Sequence, residues 1–494
     1  MRQAHHYPKF LQIARQERLL LTVLLSVMMM RMVAIAVTPL GFGVDEAQYW
    51  LWGQDLDFGY YSKPPLIGWY LGVMDALFGS SAVAARITAP MLHVIISCML
   101  YGIGYRFHSA SAGRWAALLW ISLPIVSLGS FVISTDTLLL VAWLAALGSF
   151  LQAVDQNQKR AFFVTGLLIG IGVLAKYAAI YFILGTALFL FTTPHRTLMS
   201  KLSSWGLIVL GACITSSPNL IWNLVNGGIT FAHLGENADL AQPLYSFASA
   251  FEFILSQSAV IGPVSFIILC ACLLRYRAVQ TRLFLKLCLC FSLPVLAIMV
   301  GQAYLKTANA NWAATAWPTA CLLIAGVLSQ TPPHRLISRF WGKLALSVNF
   351  FAAFFIAAAV AMGDLGSLTP ASDPLRRLRG WDQLATDVRE QAQIHNTPII
   401  IADRRAEAAL LSWHLHDSPY QIKVLDEDGR PGSHFELRHA LRPTDEGPFL
   451  ILTGAAGDLP KQFAVATGPV GESITSISAN RTRHKRFFIQ KSLF

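Results

Sequence analysis

Apolar residues along this chain fall in long runs broken by short polar stretches, and this pattern stops near residue 365. Runs near 19–40, 83–105, 114–130, 137–153, 161–174, 178–192, 203–221, 251–274, 283–301, 311–329 and 344–362 predict eleven membrane-spanning helices. Beyond them the period changes. Trp381, Leu384, Val388 and Ala392 mark one face of an amphipathic helix, and Ile399, Ile400 and Ile401 read as a strand. A helix over 406–415 and a strand over 422–425 complete a β-α-β order, with further strands at 449–452 and 487–490. The expected fold is a polytopic α-helical membrane protein with a small C-terminal α/β domain. Its membrane domain covers 1–365, including a long outer loop at 41–82, and a soluble accessory domain covers 366–494.

Composition sharpens that division. The chain is 54% hydrophobic and 13% charged, with a mean hydropathy of +0.51. A soluble chain carries about a quarter charged residues, so a single water-soluble globule is excluded. The loops also sort by sign. Sixteen cations fall on one side: Arg2, Lys9, Arg15 and Arg18 at the N-terminus, then Arg106/Arg114, Lys159/Arg160, Arg196/Lys201, Arg275/Arg277/Arg282 and Arg335/Arg339/Lys343. The opposite side has only Lys63, Arg86, Lys176 and Lys306, with most of the acids. The positive-inside rule therefore predicts a cytoplasmic N-terminus and, with an odd span count, an exported C-terminal domain. Reading 161–192 as one helix would reverse every later loop. Read as two short helices, it leaves Lys176 recessed below the outer surface.

The net charge of +11 does not indicate nucleic acid, because the cations sit in topology-setting loops. All seven cysteines lie in apolar runs without a disulfide or zinc pattern. Arg31 interrupts the first span, which favours an uncleaved anchor over a signal peptide; a mid-membrane arginine must face protein or water.

The outer loops hold the candidate chemistry. Asp45 and Glu46 follow the first span, where a carboxylate keeps enough basicity to take a proton from an acceptor; Asp45 as a helix N-cap is an equally open reading. Tyr60, Tyr61 and Lys63 precede Pro64-Pro65, which stiffen the backbone around a lysine able to meet a phosphate. Residues 66–78 are apolar but too short to span, so an interfacial helix is expected. Asp55-Leu56-Asp57 spells a D-x-D motif, yet its loop context favours a solvated turn. Asp136 begins a helix and reads equally as a cap. Lys176 beside Tyr177 needs an anion at its recessed position, and Lys306 is a third outer lysine. The stretch 222–250 reads as a surface loop, with Trp222 and Asn223 at its membrane end and a lone His233 further out. In the tail, His414 and His416 read as surface residues.

In chain order, the segments DEAQYW, YYSKPPLIGW, STDTLLL, GLLIGIGVLAKYAAIYF, SPNLIWNLVNGGITFAHLGE and KTANANWAATAWP resemble the bacterial dolichyl-phosphate-mannose protein mannosyltransferase-like family. That family includes the aminoarabinose transferases of lipid A and the lipopolysaccharide-core sugar transferases. The resemblance covers about residues 15–360 and implies C-type glycosyltransferase architecture in the bacterial inner membrane. It further implies transfer of a sugar from a polyprenyl-phosphate carrier to an envelope glycolipid or glycan. Asp45 matches the acidic first-loop position assigned as catalytic, with Asp136 a second acidic position; Lys63 and Lys176 match lysines suited to the donor phosphate. The aminoarabinose transferases usually carry an acid immediately before the first lysine, where this chain has Ser62. Lysines alone can stabilise a departing sugar phosphate, so no obligatory metal or other cofactor is expected. Two alternatives differ in acceptor or class: a protein O-glycosyltransferase, and a flippase for lipid-linked sugars. The gathering of polar residues on one side disfavours transport.

Overall fold

The computed structural model describes residues 17–193, 197–238, 244–274, 283–330, 339–364, 374–426, 429–454, 459, 463, 466–478 and 481–492. Arg2, Lys9, Arg15, Arg196, Asp239, Arg275, Arg277, Arg282, Arg335 and the expected 365/366 division lie outside them. The chain forms two compact units. One gathers 1–36, 86–218 and 237–358, and the other 37–85, 219–236 and 359–494.

The eleven apolar runs all fall on helices. Among the described residues, seven helices are long and apolar enough to cross a membrane: Arg18–Val37, Ala82–Phe107, Thr135–Gln156, Met199–Val225, Leu283–Leu305, Ala310–Leu328 and Arg339–Met362. The run at 251–274, expected as one span, is broken into Phe247–Ile261 and Pro263–Leu274, bent by 117°; taken as one span it makes an eighth. The reason is local. Gly262 sits at φ +86°, and the Asn349 side chain fills the space a Cβ would need. Asn349 Nδ2 donates to the Ile261 carbonyl at 3.2 Å and to Ser265 Oγ at 3.1 Å, so the freed backbone oxygen is satisfied. The other three runs are shorter pieces: Ala110–Ser122 with Pro124–Gly129, Lys159–Ala175, and Ile180–Thr192 behind a 3₁₀ turn at Tyr177–Ala179.

Within the first unit, Phe150, Phe182 and Phe291 build an aromatic core, with ring centroids 4.9 Å apart for Phe182–Phe291 and 5.8 Å for Phe150–Phe291. Arg31 is fully buried, and its partners are neutral oxygens. Nη1 donates to Ser130 Oγ at 3.0 Å; Nη2 donates to Ser127 Oγ at 2.8 Å and to the Ile121 carbonyl at 2.7 Å. The helix break at Pro124 exposes that carbonyl. Polar contacts also join loops that the charge pattern assigns to one side. Arg114 meets Glu17 at 2.8 Å, Tyr101 donates to Glu17 at 3.0 Å, and Arg106 lies 3.7 Å from Asp155.

The second unit contains a five-stranded sheet of β1 (Ile399–Ala402), β2 (Gln421–Val424), β3 (Phe449–Gly454), β4 (Thr467–Ser478) and β5 (Arg481–Gln490). Their order is β2-β1-β3-β5-β4. β1 runs parallel to β2 and β3, and β5 is antiparallel to β3 and β4. Ile399, Ile401, Phe449, Ile451 and Phe463 form its core on one face. Trp381–Ile394 and Arg405–His414 are the two expected helices; β4 and the short helix His434–His439 were not legible in the apolar pattern.

The same unit holds the long first loop. Its helix Val44–Gln54 packs on the short apolar helix Leu66–Phe78 through Gly53 and Gly72; a Cβ on Gly53 would lie 2.6 Å from the Gly72 nitrogen. Trp50 Nε1 donates to Asp75 at 2.9 Å across the same contact. On the other side lies the helix Arg405–His414, whose Trp413 ring packs 4.2 Å from Phe42 and 5.1 Å from Trp50. The expected loop at 222–250 is largely helical: Leu198–Val225 extends through Trp222 and Asn223, Ile229–Ala238 follows, and Phe247 starts the next helix.

Candidate functional site

In the second unit, the two adjacent carboxylates have divided their work. Helix Val44–Gln54 begins after Gly43, whose N–H donates to Glu46 Oε2 at 3.0 Å. The cap foreseen for Asp45 is thus made by Glu46, which reaches back from the first turn and is buried. Asp45, released from capping, is 65% exposed, and its Oδ1 accepts from Arg405 Nη2 at 2.8 Å. Arg405 Nη1 donates to the buried Gln48 Oε1 at 2.9 Å.

The segment after this helix is a folded turn. Tyr60 stacks on Trp52, with centroids 4.5 Å apart and planes within 2°, and its hydroxyl donates to the Trp52 carbonyl at 2.8 Å. Burial pushes the Tyr60 hydroxyl up to about 12, which suits a permanent donor. The Tyr60 N–H bonds the Lys63 carbonyl at 3.1 Å, and this closes the turn that carries the lysine. Asp57 of the D-x-D sequence, expected in a solvated turn, is instead mostly covered and pairs with Arg438 at 2.6 Å. Ser62 is buried beside Lys63.

Residues 219–236 complete this neighbourhood. Asn219 donates to the Phe58 carbonyl at 2.8 Å, and Thr230 to the Tyr60 carbonyl at 2.9 Å. Trp222 lies against Gly59, so close that no side chain fits there. Trp222 and Asn223 are both buried, and Trp222 braces the first loop at Gly59. His233 packs 5.0 Å from Tyr61. Its pKa is lowered first by burial and then by the charges of Lys63 and Arg405, opposed by Glu236. Asp45 with Arg405, and Tyr61 with His233, are two contacts of this unit, and the charges of Lys63 and Arg405 both act on His233. Arg405 is the residue among these that the sequence did not reveal. It lies 360 positions from Asp45, and a lone arginine in a soluble tail carries no local signal.

In the first unit, Lys176 finds its anion. The helix Lys159–Ala175 ends at Lys176, which is extended at φ −161°, and Nζ lies 2.7 Å from Asp136 Oδ1. Asp136 is in the first turn of Thr135–Gln156, whose N-cap Ser134 makes no side-chain cap bond. Both charged side chains are about four-fifths buried, at 21% and 23% exposure. Tyr177 opens the 3₁₀ turn next to the pair. Lys306 follows the helix Leu283–Leu305 in this same unit. Among the described residues no group of three or more His, Cys, Asp or Glu is arranged to hold a metal ion.

The second unit thus presents an exposed carboxylate, Asp45, held by Arg405 in the same unit as Lys63, Tyr61 and His233, and comparison with known proteins gives the chain a family. Residues 62–222 match the model for dolichyl-phosphate-mannose-protein mannosyltransferases. The lipid A galacturonosyltransferase RgtD of Rhizobium johnstonii is 30% identical over 437 residues, covering 88% of this chain and 91% of the relative. The lipopolysaccharide core galacturonosyltransferase RgtA of the same organism is 24% identical over 201 residues, or 40% of this chain and 39% of that one. In fold, the chain is similar to ArnT from Cupriavidus metallidurans bound to undecaprenyl phosphate. The TM-score is 0.67 at 13% identity, covering 97% of this chain and 99% of that one. The chain belongs to the bacterial dolichyl-phosphate-mannose-protein mannosyltransferase-like family of C-type glycosyltransferases.

Proposed function

We propose that the protein moves a sugar from a polyprenyl (undecaprenyl) phosphate carrier to a lipid A or lipopolysaccharide-type acceptor at the periplasmic face of the bacterial inner membrane. The observation that carries this reading is the near full-length similarity to a lipid A galacturonosyltransferase. The transferred sugar in this reading is a galacturonosyl residue. The lipid A and core relatives support that sugar, as does the neutral Ser62 where the aminoarabinose transferases usually have an acid.

In the proposed mechanism Asp45 accepts the proton of the acceptor hydroxyl while its oxygen attacks the anomeric carbon. The bond to the carrier phosphate breaks, and lysine ammonium groups meet its negative charge, the role that the family resemblance gives to Lys63 and Lys176. One direct displacement inverts the anomeric centre. Tyr61, Tyr177 and Lys306 are assigned to the carrier, and Tyr60, Trp222, Asn223 and His233 to shaping the sugar and acceptor side. No divalent metal is required in this scheme, so activity should survive thorough chelation; loss reversed by adding back a divalent ion refutes that part. The loop charges support a cytoplasmic N-terminus and a periplasmic C-terminal domain, which reporter fusions at each end can test.

The decisive experiment is mass spectrometry of lipid A and core from cells lacking the gene, complemented with wild type or Asp45→Asn. Wild type should restore a hexuronate-sized mass. Equally expressed Asp45→Asn should lose about 10²- to 10⁴-fold in rate. An unchanged glycolipid profile on deletion contradicts the reading.

A further inference from the structure

Arg405 sits where helix energetics do not ask for an arginine. It is the first residue of Arg405–His414, and a cation there faces the positive end of the helix dipole. Nor does docking of this helix need the ion pair. Trp413 is buried against Phe42 and Trp50, and this aromatic contact holds the helix to Val44–Gln54. The Arg405–Asp45 pair lies at the surface of its unit, with side chains 42% and 65% exposed, where ion pairs stabilise little. By contrast, Gln48 is 1% exposed and anchors Nη1. The guanidinium is thus held through Nη1 by a buried side chain, while Nη2 is engaged by an exposed carboxylate.

The proposed reaction brings three anions together: the carrier phosphate, the ionised base and the C6 carboxylate of the sugar. Lys63 and Lys176 are assigned to the phosphate. The two carboxylates repel each other unless a cation stands between them. Arg405 already bonds one of them, and a planar guanidinium matches a carboxylate edge as an ammonium does not.

Resting on the galacturonosyl reading above, we propose that Arg405 determines specificity by binding the carboxylate of the transferred sugar. Nη2 exchanges Asp45 for that carboxylate while Gln48 retains Nη1. A hexuronate then does two things at once: it satisfies Arg405, and it releases Asp45 to accept the acceptor's proton. A neutral hexose does neither, so the base stays engaged.

The test uses the purified full-length protein in lipid nanodiscs with lipid A as acceptor. Its two donors, polyprenyl-phosphate-linked galacturonate and galactose, differ only at C6. Wild type should prefer the galacturonosyl donor in kcat/KM, and Arg405→Gln should reduce that preference by about 10- to 100-fold. Arg405→Lys, which keeps the charge and loses the fork, should fall between. Equal losses with both donors, or a preference that Arg405→Gln leaves unmoved, would overturn the proposal. Should Arg405→Gln not fold, Arg405→Lys decides: a reduced preference supports the assignment, and a wild-type preference overturns it. A wild-type enzyme that uses both donors alike refutes the carboxylate reading while leaving sugar transfer intact. One that uses neither removes the transferase reading, and this proposal with it.

Discussion

Replacing Asp136 with Asn isolates the recessed pair with Lys176. Its charged atoms are 2.7 Å apart, and both side chains are about four-fifths buried. At an effective dielectric of about 20, the Coulomb attraction is about 6 kcal/mol. Withdrawing two charges from water offsets most of that. Exposed pairs give about 0–1 kcal/mol and breaking a fully buried pair costs about 3–5 kcal/mol, so a net coupling of about 2 kcal/mol is expected here. Asp136→Asn leaves an ammonium in the recess with no counter-charge, whereas Asp136→Asn with Lys176→Gln leaves two neutral groups that can bond each other. The double variant should therefore be more stable than the sum of the two single losses predicts. Equilibrium unfolding of all four proteins in mixed SDS–detergent micelles measures the coupling. A value below about 0.5 kcal/mol would show that the pair is a surface contact and that Lys176 is not recessed.

Three other perturbations follow from the same geometry. Glu46→Ala removes the acceptor for the Gly43 N–H and should cost about 1 kcal/mol, whereas Glu46→Gln keeps an acceptor and should cost less; thermal unfolding distinguishes them. Burial lowers the His434 imidazole to about 3, while an unfolded histidine takes up its proton near 6.5. The unfolded state therefore binds the extra proton as the pH falls through this window, and stability should drop by about 2 kcal/mol by pH 5. His434→Gln should flatten that slope, and an unchanged slope refutes the assignment. Ser127→Ala with Ser130→Ala strips Arg31 of two of its three oxygens and should destabilise by about 1.5–3 kcal/mol per bond; Ser122→Ala, whose hydroxyl bonds only its own helix at Leu119, is the control.

Much of the molecule was legible because membrane helices are written in long, local signals. Every apolar run is helical, and the loop charges group segments that do touch, as Arg114 and Glu17 do. The break at Gly262 was missed because its cause is Asn349, a side chain from a distant helix. The helix Ile229–Ala238 was missed because its polar tip reads as a loop until Thr230 and His233 are seen against Tyr60 and Tyr61. β4 carries Gly, Ser and Thr with few apolar residues, so its pairing with β5 has no period to announce it. In the site, residue types were readable at Asp45, Lys63 and Lys176, but partners were not. Which neighbouring carboxylate caps the helix depends on one hydrogen bond to Gly43, and Arg405 becomes visible only when the sheet domain has folded.

The second unit is assembled from the beginning, middle and end of the chain, and that has a consequence for how the enzyme is made. Asp45 leaves the ribosome 360 residues before Arg405. At about 5–20 residues per second, the first loop waits about 20–70 s for its partner. Through that interval Phe42 and Trp50 have no Trp413 to cover them, and Asp45 has no guanidinium beside it. A ribosome that stops before Arg405 therefore releases a chain in which the Phe42 and Trp50 rings lack Trp413 and Asp45 lacks its ion-pair partner.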